Sequence, residues 1–334
     1  MGAFRALEEA GLAPAHIVGT SMGAVVGAAL ASGVSWKGVR GAALALSPDE
    51  IAPLDLLALV TGVFSSNLLR PEFLERMIER LVTPRSFAEL RIPLTVTATD
   101  LDTGALALFG AGGREHVPLH QALFASCALP LYYPPITIAT RRYADGGLRA
   151  VLPLEVARTV PEGPVDLVVA VHVGPGFDET LPAGAEPDRR IPPLVRAHGE
   201  AVRIMMAAQV ERDIAAWPAA APRLVVVRPV REKEATFRIE NAERYIEAGY
   251  GATKAAIASF RETGNGKREV SCDPRFPCPL SRFPFCASRV VYRLCRRVFS
   301  PSPRPTPPCP WCAASSPTSR RCIPSGATWC TATS

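Results

Sequence analysis

Cysteine is nearly absent from most of this chain. Residues 1–266 contain only Cys127, whereas the remaining 68 of the 334 residues contain the other eight cysteines. A body with one thiol cannot be held together by disulfides, and such a composition is typical of a reducing compartment. We therefore expect a cytoplasmic protein, either free or in peripheral contact with the inner face of the membrane.

Long apolar runs and a secretory leader are also missing. The chain has no run of about 18 consecutive apolar residues, so no membrane-spanning helix is expected. The opening residues, including Phe4 to Glu9, have the charge and pattern of a helix and lack the features of a signal peptide.

Acidic residues are scarce only at one end of the chain. Residues 267–334 hold 11 of the 37 basic residues and 2 of the 31 acidic ones, a net charge of +9, which leaves residues 1–266 at −3. A mildly acidic body gives no signal for nucleic-acid binding, so no nucleic-acid partner is expected.

The basic tail at 267–334 differs from residues 1–266 in composition and in pattern. It is rich in Cys, Pro, Arg and Ser and has no helix or strand period. Cys309, Cys312, Cys322 and Cys330 are compatible with a zinc site, but their irregular spacing among prolines argues against one. The abrupt shift is typical of an out-of-frame reading of GC-rich DNA. We therefore predict one domain over 1–266, followed by a tail that is disordered or frameshifted.

A serine between two glycines is the feature around which the body is organised. The sequence GTSMG at residues 19–23 lies between a short apolar strand pattern at 16–18 and an Ala/Gly-rich helix pattern at 24–31. Strand, G-x-S-x-G and helix form the context of a nucleophile elbow. In such an elbow the glycines let the strand and the helix approach each other closely, and the helix N-terminus stabilises an oxyanion. The alternative is a plain strand-to-helix turn in which Ser21 is only an N-cap.

Helix and strand patterns alternate through the rest of the body. Helices are predicted over 1–10, 36–46, 71–81, 119–127, 153–160, 191–217 and 242–260. Strands are predicted over 93–99, 105–109, 136–138, 141–143, 165–173 and 223–228.

This alternation predicts an α/β fold with a mainly parallel sheet covered on both faces. The apolar run at 165–173 is typical of a central parallel strand. The apolar stretch at 51–69 is compatible with core helices, with a lid, or with a surface that docks at a bilayer.

A serine nucleophile needs a base, and the histidines are poorly placed to supply one. None of His16, His116, His120 and His198 lies where a triad carries its histidine, and His172, at the end of a predicted strand, stays open. The alternative is a carboxylate that acts directly.

Asp145 is the best-placed carboxylate, because it ends a predicted strand and is followed by Gly146 and Gly147. Asp100 and Asp102 stand beside a glycine, which favours a turn over a metal pair. We expect neither a metal nor a cofactor.

The order and spacing of several segments resemble those of the patatin-like phospholipases. These segments are GTSMGA at 19–24, TDL at 99–101, ASCALP at 125–130 and YADGG at 143–147, and the resemblance runs from about Gly2 to about Phe260.

The resemblance implies a three-layer α/β/α sandwich and a Ser–Asp dyad, with Ser21 as nucleophile and Asp145 as base. It implies the Met22 amide as an oxyanion donor within the Gly19 to Gly23 elbow, and Gly146 and Gly147 as the turn after the base. The implied substrates are acyl esters of glycerolipids or lysophospholipids.

One departure from the family bears on activity. Family members begin with a strand that ends in a glycine-rich loop and supplies most of the oxyanion hole, and this chain starts after that point. The resemblance therefore predicts a missing first strand, two unpaired sheet edges and a weakened oxyanion hole. Two alternatives stay open: a catalytically impaired fragment, and a Ser-His-Asp esterase or acyltransferase that uses His172.

Overall fold

Helices and strands alternate in the computed structural model, which describes residues 1–45, 68–180, 193–231 and 241–263. The helices are α1 (Gly2–Glu9), α2 (Met22–Ala31), α3 (Trp36–Leu44), α4 (Pro71–Leu81), α5 (Leu119–Cys127), α6 (Leu154–Thr159), α7 (Pro193–Ala215) and α8 (Ala242–Thr263). The strands are β1 (Ile17–Thr20), β2 (Leu94–Asp100), β3 (Leu106–Gly110), β4 (Ile136–Ile138), β5 (Arg141–Asp145), β6 (Leu167–Val171) and β7 (Arg223–Val227).

Most predicted elements are confirmed within a few residues. Helices α4 and α5 have the predicted bounds. At the start of α3, the Ser35 hydroxyl accepts a hydrogen bond from the Gly38 amide at 3.2 Å and caps the helix. Strand β5 runs two residues further than predicted and thereby includes Asp145. The predictions for 51–67 and for the tail at 267–334 lie outside the described residues.

Strand β2 is the axis of a five-stranded sheet. It pairs with β3 over Thr95–Thr99 in antiparallel register, and the edge opposite β3 is shared by β1 and β5. Strand β1 is parallel to β2 and ends with Thr20 opposite Thr97, whereas β5 is antiparallel and ends with Asp145 opposite Ala98. The carboxyl ends of β1 and β5 therefore meet head to head.

The α/β class is confirmed, but the expectation of a mainly parallel sheet is wrong. Only the β1–β2 and β6–β7 pairs are parallel among the described strands, whereas β2–β3, β2–β5 and β4–β5 are antiparallel. Short hairpin turns explain the β2–β3 and β4–β5 pairs, because they connect neighbouring strands without a helical crossover.

Strand β6 is not the central strand that its apolar run predicted. It pairs only with β7 among the described residues, in a separate two-stranded sheet, and Val171 at its end is 37% exposed. Within the same described part, β1 also has a ladder partner on one side only. An apolar run indicates that a strand is buried, but helices can bury it as well as strands can. It therefore does not predict a partner strand on each side.

Two apolar clusters hold the helices to these sheets. The larger one packs α2, α4 and α5 against β1 and β2, and Val25, Ile78, Val96 and Leu123 are all fully or almost fully buried in it. The smaller one packs α7 against β6 through Val210 and Ala170. The helices therefore fix the strand ends from which the site is built.

Helices α1 and α8 are joined by charged and aromatic side chains. The Arg5 guanidinium lies 3.9 Å from the centre of the Tyr250 ring and 4.9 Å from that of Trp36. It also forms ion pairs with Glu9 and Glu247. As for membrane insertion, the described helices include none with both the length and the apolar character needed to cross a bilayer.

Candidate active site

The head-to-head meeting of β1 and β5 brings the two predicted dyad residues into contact. Ser21 follows the last residue of β1, and Asp145 is the last residue of β5. The Ser21 hydroxyl donates a hydrogen bond to Asp145 Oδ2 at 2.7 Å, although the two residues are 124 positions apart in the chain.

Ser21 has the backbone of a sharp elbow. Its φ of 54° and ψ of −135° lie in a region that non-glycine residues rarely adopt, and such a conformation costs on the order of 1–3 kcal/mol. Its side chain makes no capping bond to α2, so the interpretation of Ser21 as a simple N-cap is wrong. The strained turn projects the hydroxyl toward Asp145 instead.

The two elbow glycines are not equivalent. A Cβ at Gly19 would lie 2.5 Å from the Ala24 Cα, whereas a Cβ at Gly23 would meet nothing within 4 Å. The expectation that both glycines relieve a clash is therefore right for Gly19 and wrong for Gly23. Glycine is required where the strand passes beneath the helix, and not within the helix itself.

Asp145 is buried and held by its neighbours. Its Oδ1 accepts a hydrogen bond from the Gly147 amide at 2.7 Å, and its carbonyl accepts one from the Thr99 hydroxyl at 2.8 Å. Burial raises the pKa of this carboxyl to about 6, while the hydrogen bonds from Ser21 and Gly147 act in the opposite direction. A carboxylate with a raised pKa is a better proton acceptor than an exposed one.

The turn after Asp145 is packed tightly onto β2. A Cβ at Gly146 would lie 2.5 Å from the Thr97 carbonyl oxygen, so no larger residue fits there without a backbone shift. The Thr20 hydroxyl, 2.7 Å from the Thr97 hydroxyl, also donates to the Ala150 carbonyl at 3.0 Å. These contacts tie the turn that follows the carboxylate to the strand that precedes the serine.

The carboxyl end of α5 contacts both residues, and the sequence reasoning assigned it no role. Ser126 Oγ accepts a hydrogen bond from the Ser21 amide at 2.8 Å, and the Ala128 carbonyl accepts one from the Asp145 amide at 3.0 Å. The buried Cys127 side chain contacts Ser21, and burial together with the Asp145 charge raises the pKa of this thiol. The family-like segment at 125–130 was the signal that could have found these residues.

The first amides of α2 form a potential anion-binding site. The Ser21 carbonyl accepts the Ala24 amide at 2.8 Å, whereas the Met22 and Gly23 amides have no acceptor among the described residues. Free amides at a helix N-terminus favour an anion.

The histidines do not contact the Ser21–Asp145 pair in the described part of the chain. His16 Nε2 lies 2.8 Å from the Thr95 hydroxyl, and His120 bonds to the Val82 carbonyl and to Arg85. His172 is buried, and burial together with the nearby Arg228 charge lowers the pKa of its imidazole to about 4. Its Nε2 has no hydrogen-bond partner among the described residues.

The acidic pair near β2 serves a turn. Asp100 Oδ1 accepts the Asp102 and Thr103 amides at 3.0 and 3.1 Å, and Asp100 Oδ2 accepts Arg141 at 2.7 Å. Asp102 pairs with Arg142 instead of turning toward Asp100. Across the described ranges, no cluster of His, Cys, Asp and Glu could hold a metal ion.

Comparison with known proteins adds a family resemblance to this geometry. Residues 1–158 match the family described as patatin-like phospholipase. An NTE family protein of Mycobacterium tuberculosis is 32% identical over 189 residues, which cover 56% of this chain and 48% of that protein. Patatin-like phospholipase domain-containing protein 7 of Rattus norvegicus is 30% identical over 186 residues, or 54% of this chain and 13% of the relative.

The chain therefore spans about half the length of the mycobacterial relative and far less of the rat one. Among solved structures, VipD from Legionella pneumophila is similar with a TM-score of 0.39 and 15% identity, over 77% of this chain and 64% of VipD.

Proposed function

Because the chain carries a patatin-like phospholipase domain over residues 1–158, we propose that it is a serine lipid acyl hydrolase that works through a Ser21–Asp145 dyad. The observation that carries this proposal is the 2.7 Å hydrogen bond from the Ser21 hydroxyl to Asp145 Oδ2. It joins the only serine in the G-x-S-x-G segment to a buried carboxylate.

Acylation begins with transfer of the hydroxyl proton. As Ser21 Oγ attacks the ester carbonyl carbon, its proton passes to Asp145 Oδ2, and the carbonyl oxygen takes up the negative charge. When the tetrahedral intermediate collapses, the bond from carbon to the leaving oxygen breaks. Asp145 then returns the proton to the departing alcohol, which leaves an acyl ester on Ser21.

Deacylation repeats these steps with water as the nucleophile. Asp145 takes a proton from the attacking water, and the Ser21 oxygen leaves and recovers that proton. One carboxylate thus acts as base and as acid in each half of the cycle. The raised pKa of Asp145, about 6, supports both roles near neutral pH because neither protonation state is strongly disfavoured.

The oxyanion needs donors on the face of Ser21 that the substrate approaches. The Met22 and Gly23 amides have no acceptor among the described residues and lie at the start of α2. We propose the Met22 amide as one donor, since it follows the nucleophile directly. Loss of a single oxyanion donor typically costs 10²–10³ in rate, so the number of donors decides how active the chain is.

The proposed substrates are acyl esters of glycerolipids or lysophospholipids, with no cofactor. Patatin-like phospholipases act on lipids, and peripheral contact with a membrane would bring this chain to such substrates. The single cysteine of residues 1–266 supports a cytoplasmic location, at the inner face of the membrane when bound.

Hydrolysis of a short-chain p-nitrophenyl ester and of lysophosphatidylcholine by the full chain tests this proposal. We expect Ser21→Ala and Asp145→Asn to lose turnover by roughly 10³-fold or more, as removal of a nucleophile or base does. His172→Ala should keep its turnover, because the described histidines do not contact Ser21. Thermal unfolding of each variant separates loss of fold from loss of catalysis.

Three results would change the assignment. Loss of activity in His172→Ala with wild-type stability would favour the Ser-His-Asp alternative. Labelling of Ser21 by a fluorophosphonate without turnover of either ester would favour an impaired catalyst that still binds acyl groups. Equal labelling of the wild type and Ser21→Ala would refute Ser21 as the nucleophile.

A further inference from the structure

The amide of Ser21 lies beyond the end of the β1–β2 ladder and has no acceptor in the sheet. Strand β1 ends at Thr20, so Ser21 has left the ladder with β2, and its φ of 54° turns the peptide away from the sheet. An amide that loses its acceptor on burial costs about as much as a lost hydrogen bond. Some group outside the sheet must therefore accept this hydrogen bond.

Ser126 supplies the acceptor from a rigid position. Its hydroxyl oxygen lies 2.8 Å from the Ser21 amide nitrogen, and the residue is fully buried. It is the penultimate residue of α5, whose Leu119, Ala122 and Leu123 are also fully buried. The oxygen is therefore held by a packed helix and not by a mobile loop.

The same helix end also sets the position of the carboxylate. Two residues after Ser126, the Ala128 carbonyl accepts the Asp145 amide at 3.0 Å. One short segment thus binds the backbone of both dyad residues and fixes the separation across which the proton moves. Misplacement of reacting groups by about 1 Å can cost about 10²-fold in rate.

We propose that Ser126 is a positioning residue, which holds the strained Ser21 backbone so that the hydroxyl stays aligned with Asp145. This inference rests on the proposed function of Ser21 and Asp145. Among the described residues, the Ser126 hydroxyl bonds to the Ser21 amide and to no atom that reacts, so Ser126 should affect the rate of acylation without affecting the ionisation of Asp145.

The test compares two hydroxyl deletions in the full chain. Ser126→Ala removes the acceptor of the Ser21 amide. Thr253→Ala removes a hydroxyl that is equally buried and that, within the described part of the chain, bonds only to the Gly249 carbonyl, 2.7 Å away in α8. Turnover of a p-nitrophenyl ester, the rate of fluorophosphonate labelling and thermal unfolding are measured for both.

We expect Ser126→Ala to lower kcat and the labelling rate by roughly 10- to 100-fold, the range for a buried donor left without an acceptor. KM should stay within about twofold, and the midpoint of the pH profile should not move, because the Asp145 carboxylate keeps its own hydrogen bonds. Thr253→Ala should lose stability without losing kcat.

Ser126→Cys covers the case in which the alanine variant does not fold. It keeps the shape of the side chain with a larger terminal atom and replaces the oxygen with a weak acceptor, so kcat should still fall at least about fivefold. Wild-type kcat in either Ser126 variant, or equal losses of kcat in Ser126→Ala and Thr253→Ala, would overturn the inference while leaving the dyad intact. If Ser21→Ala is labelled as fast as the wild type, the dyad itself fails, and the positioning role fails with it.

Discussion

The buried carboxyl of Asp145 links the stability of the fold to its proposed chemistry. Burial raises its pKa from 3.8 to about 6, so the folded state holds this proton more tightly than the unfolded chain does. Because the pKa is higher in the folded state, protonation of Asp145 favours folding. This contribution to the free energy of unfolding is complete below pH 3.8 and is lost as the pH rises through about 6.

Asp145→Asn removes the free-energy cost of ionising this buried carboxyl, because asparagine keeps the shape of the side chain and carries no charge. The asparagine oxygen can still accept the Gly147 amide, and its NH₂ group can donate to Ser21 Oγ. A shift of about two pKa units corresponds to about 3 kcal/mol of lost stability in the wild type at pH 8, and about half of that at pH 5.

We therefore expect the difference in unfolding free energy between Asp145→Asn and the wild type to move in favour of the variant by about 1–2 kcal/mol between pH 5 and pH 8. Urea unfolding followed by circular dichroism at both pH values measures it, and other titrating groups cancel in the difference. A difference that is independent of pH would refute the argument that Asp145 ionises inside a desolvated site.

The same pKa should set the pH dependence of the proposed activity. Because the base must be ionised, kcat/KM for a p-nitrophenyl ester should rise tenfold per pH unit below about 6 and level off above it. A reaction that used His172 as base would instead titrate near 4, the pKa to which burial lowers that imidazole. A midpoint near 4 would therefore count against Asp145.

Three further predictions concern the frame around the site. Gly19→Ala should destabilise the fold by at least about 2 kcal/mol because its Cβ would overlap the backbone of α2, whereas Gly23→Ala, with nothing within 4 Å, should be neutral or stabilising in the same urea titration. Asp100→Ala should cost about 2–3 kcal/mol, since it leaves two turn amides and the Arg141 guanidinium without their acceptor, and Asp100→Asn should cost less. Arg5→Ala should lower the free energy of unfolding by removing the Arg5 contacts with Tyr250 and Glu247 on α8, whereas Arg85→Ala, at a site whose side chain is 67% exposed, should leave it nearly unchanged.

The local elements could be predicted from the sequence because their signals are local. Pro71 at the start of an amphipathic pattern predicted α4, and Asp100 to Gly104 between two alternating runs predicted the β2–β3 hairpin. The same kind of signal predicted the strand, sharp turn and helix around Ser21. These elements depend on residues within a few positions of one another.

Pairing between distant strands was harder to predict. The run at 165–173 predicted burial correctly in part, but β6 pairs only with β7 in the described part of the chain, and the five-stranded sheet is mixed. The residue pattern of a strand indicates which of its faces is apolar. It carries little information about which other strand it pairs with, or whether the pair is parallel or antiparallel.

By itself, the sequence determined the two candidate residues, the elbow and the turn that hold them, and the family they resemble. Only the tertiary structure decided that Ser21 and Asp145 meet at 2.7 Å, because that distance depends on β1 and β5 ending head to head along one edge of β2. The third partner at this junction, Ser126, lies in the family-like segment at 125–130, but the sequence assigned it no role. Its significance comes from where α5 ends, and that position is set by packing.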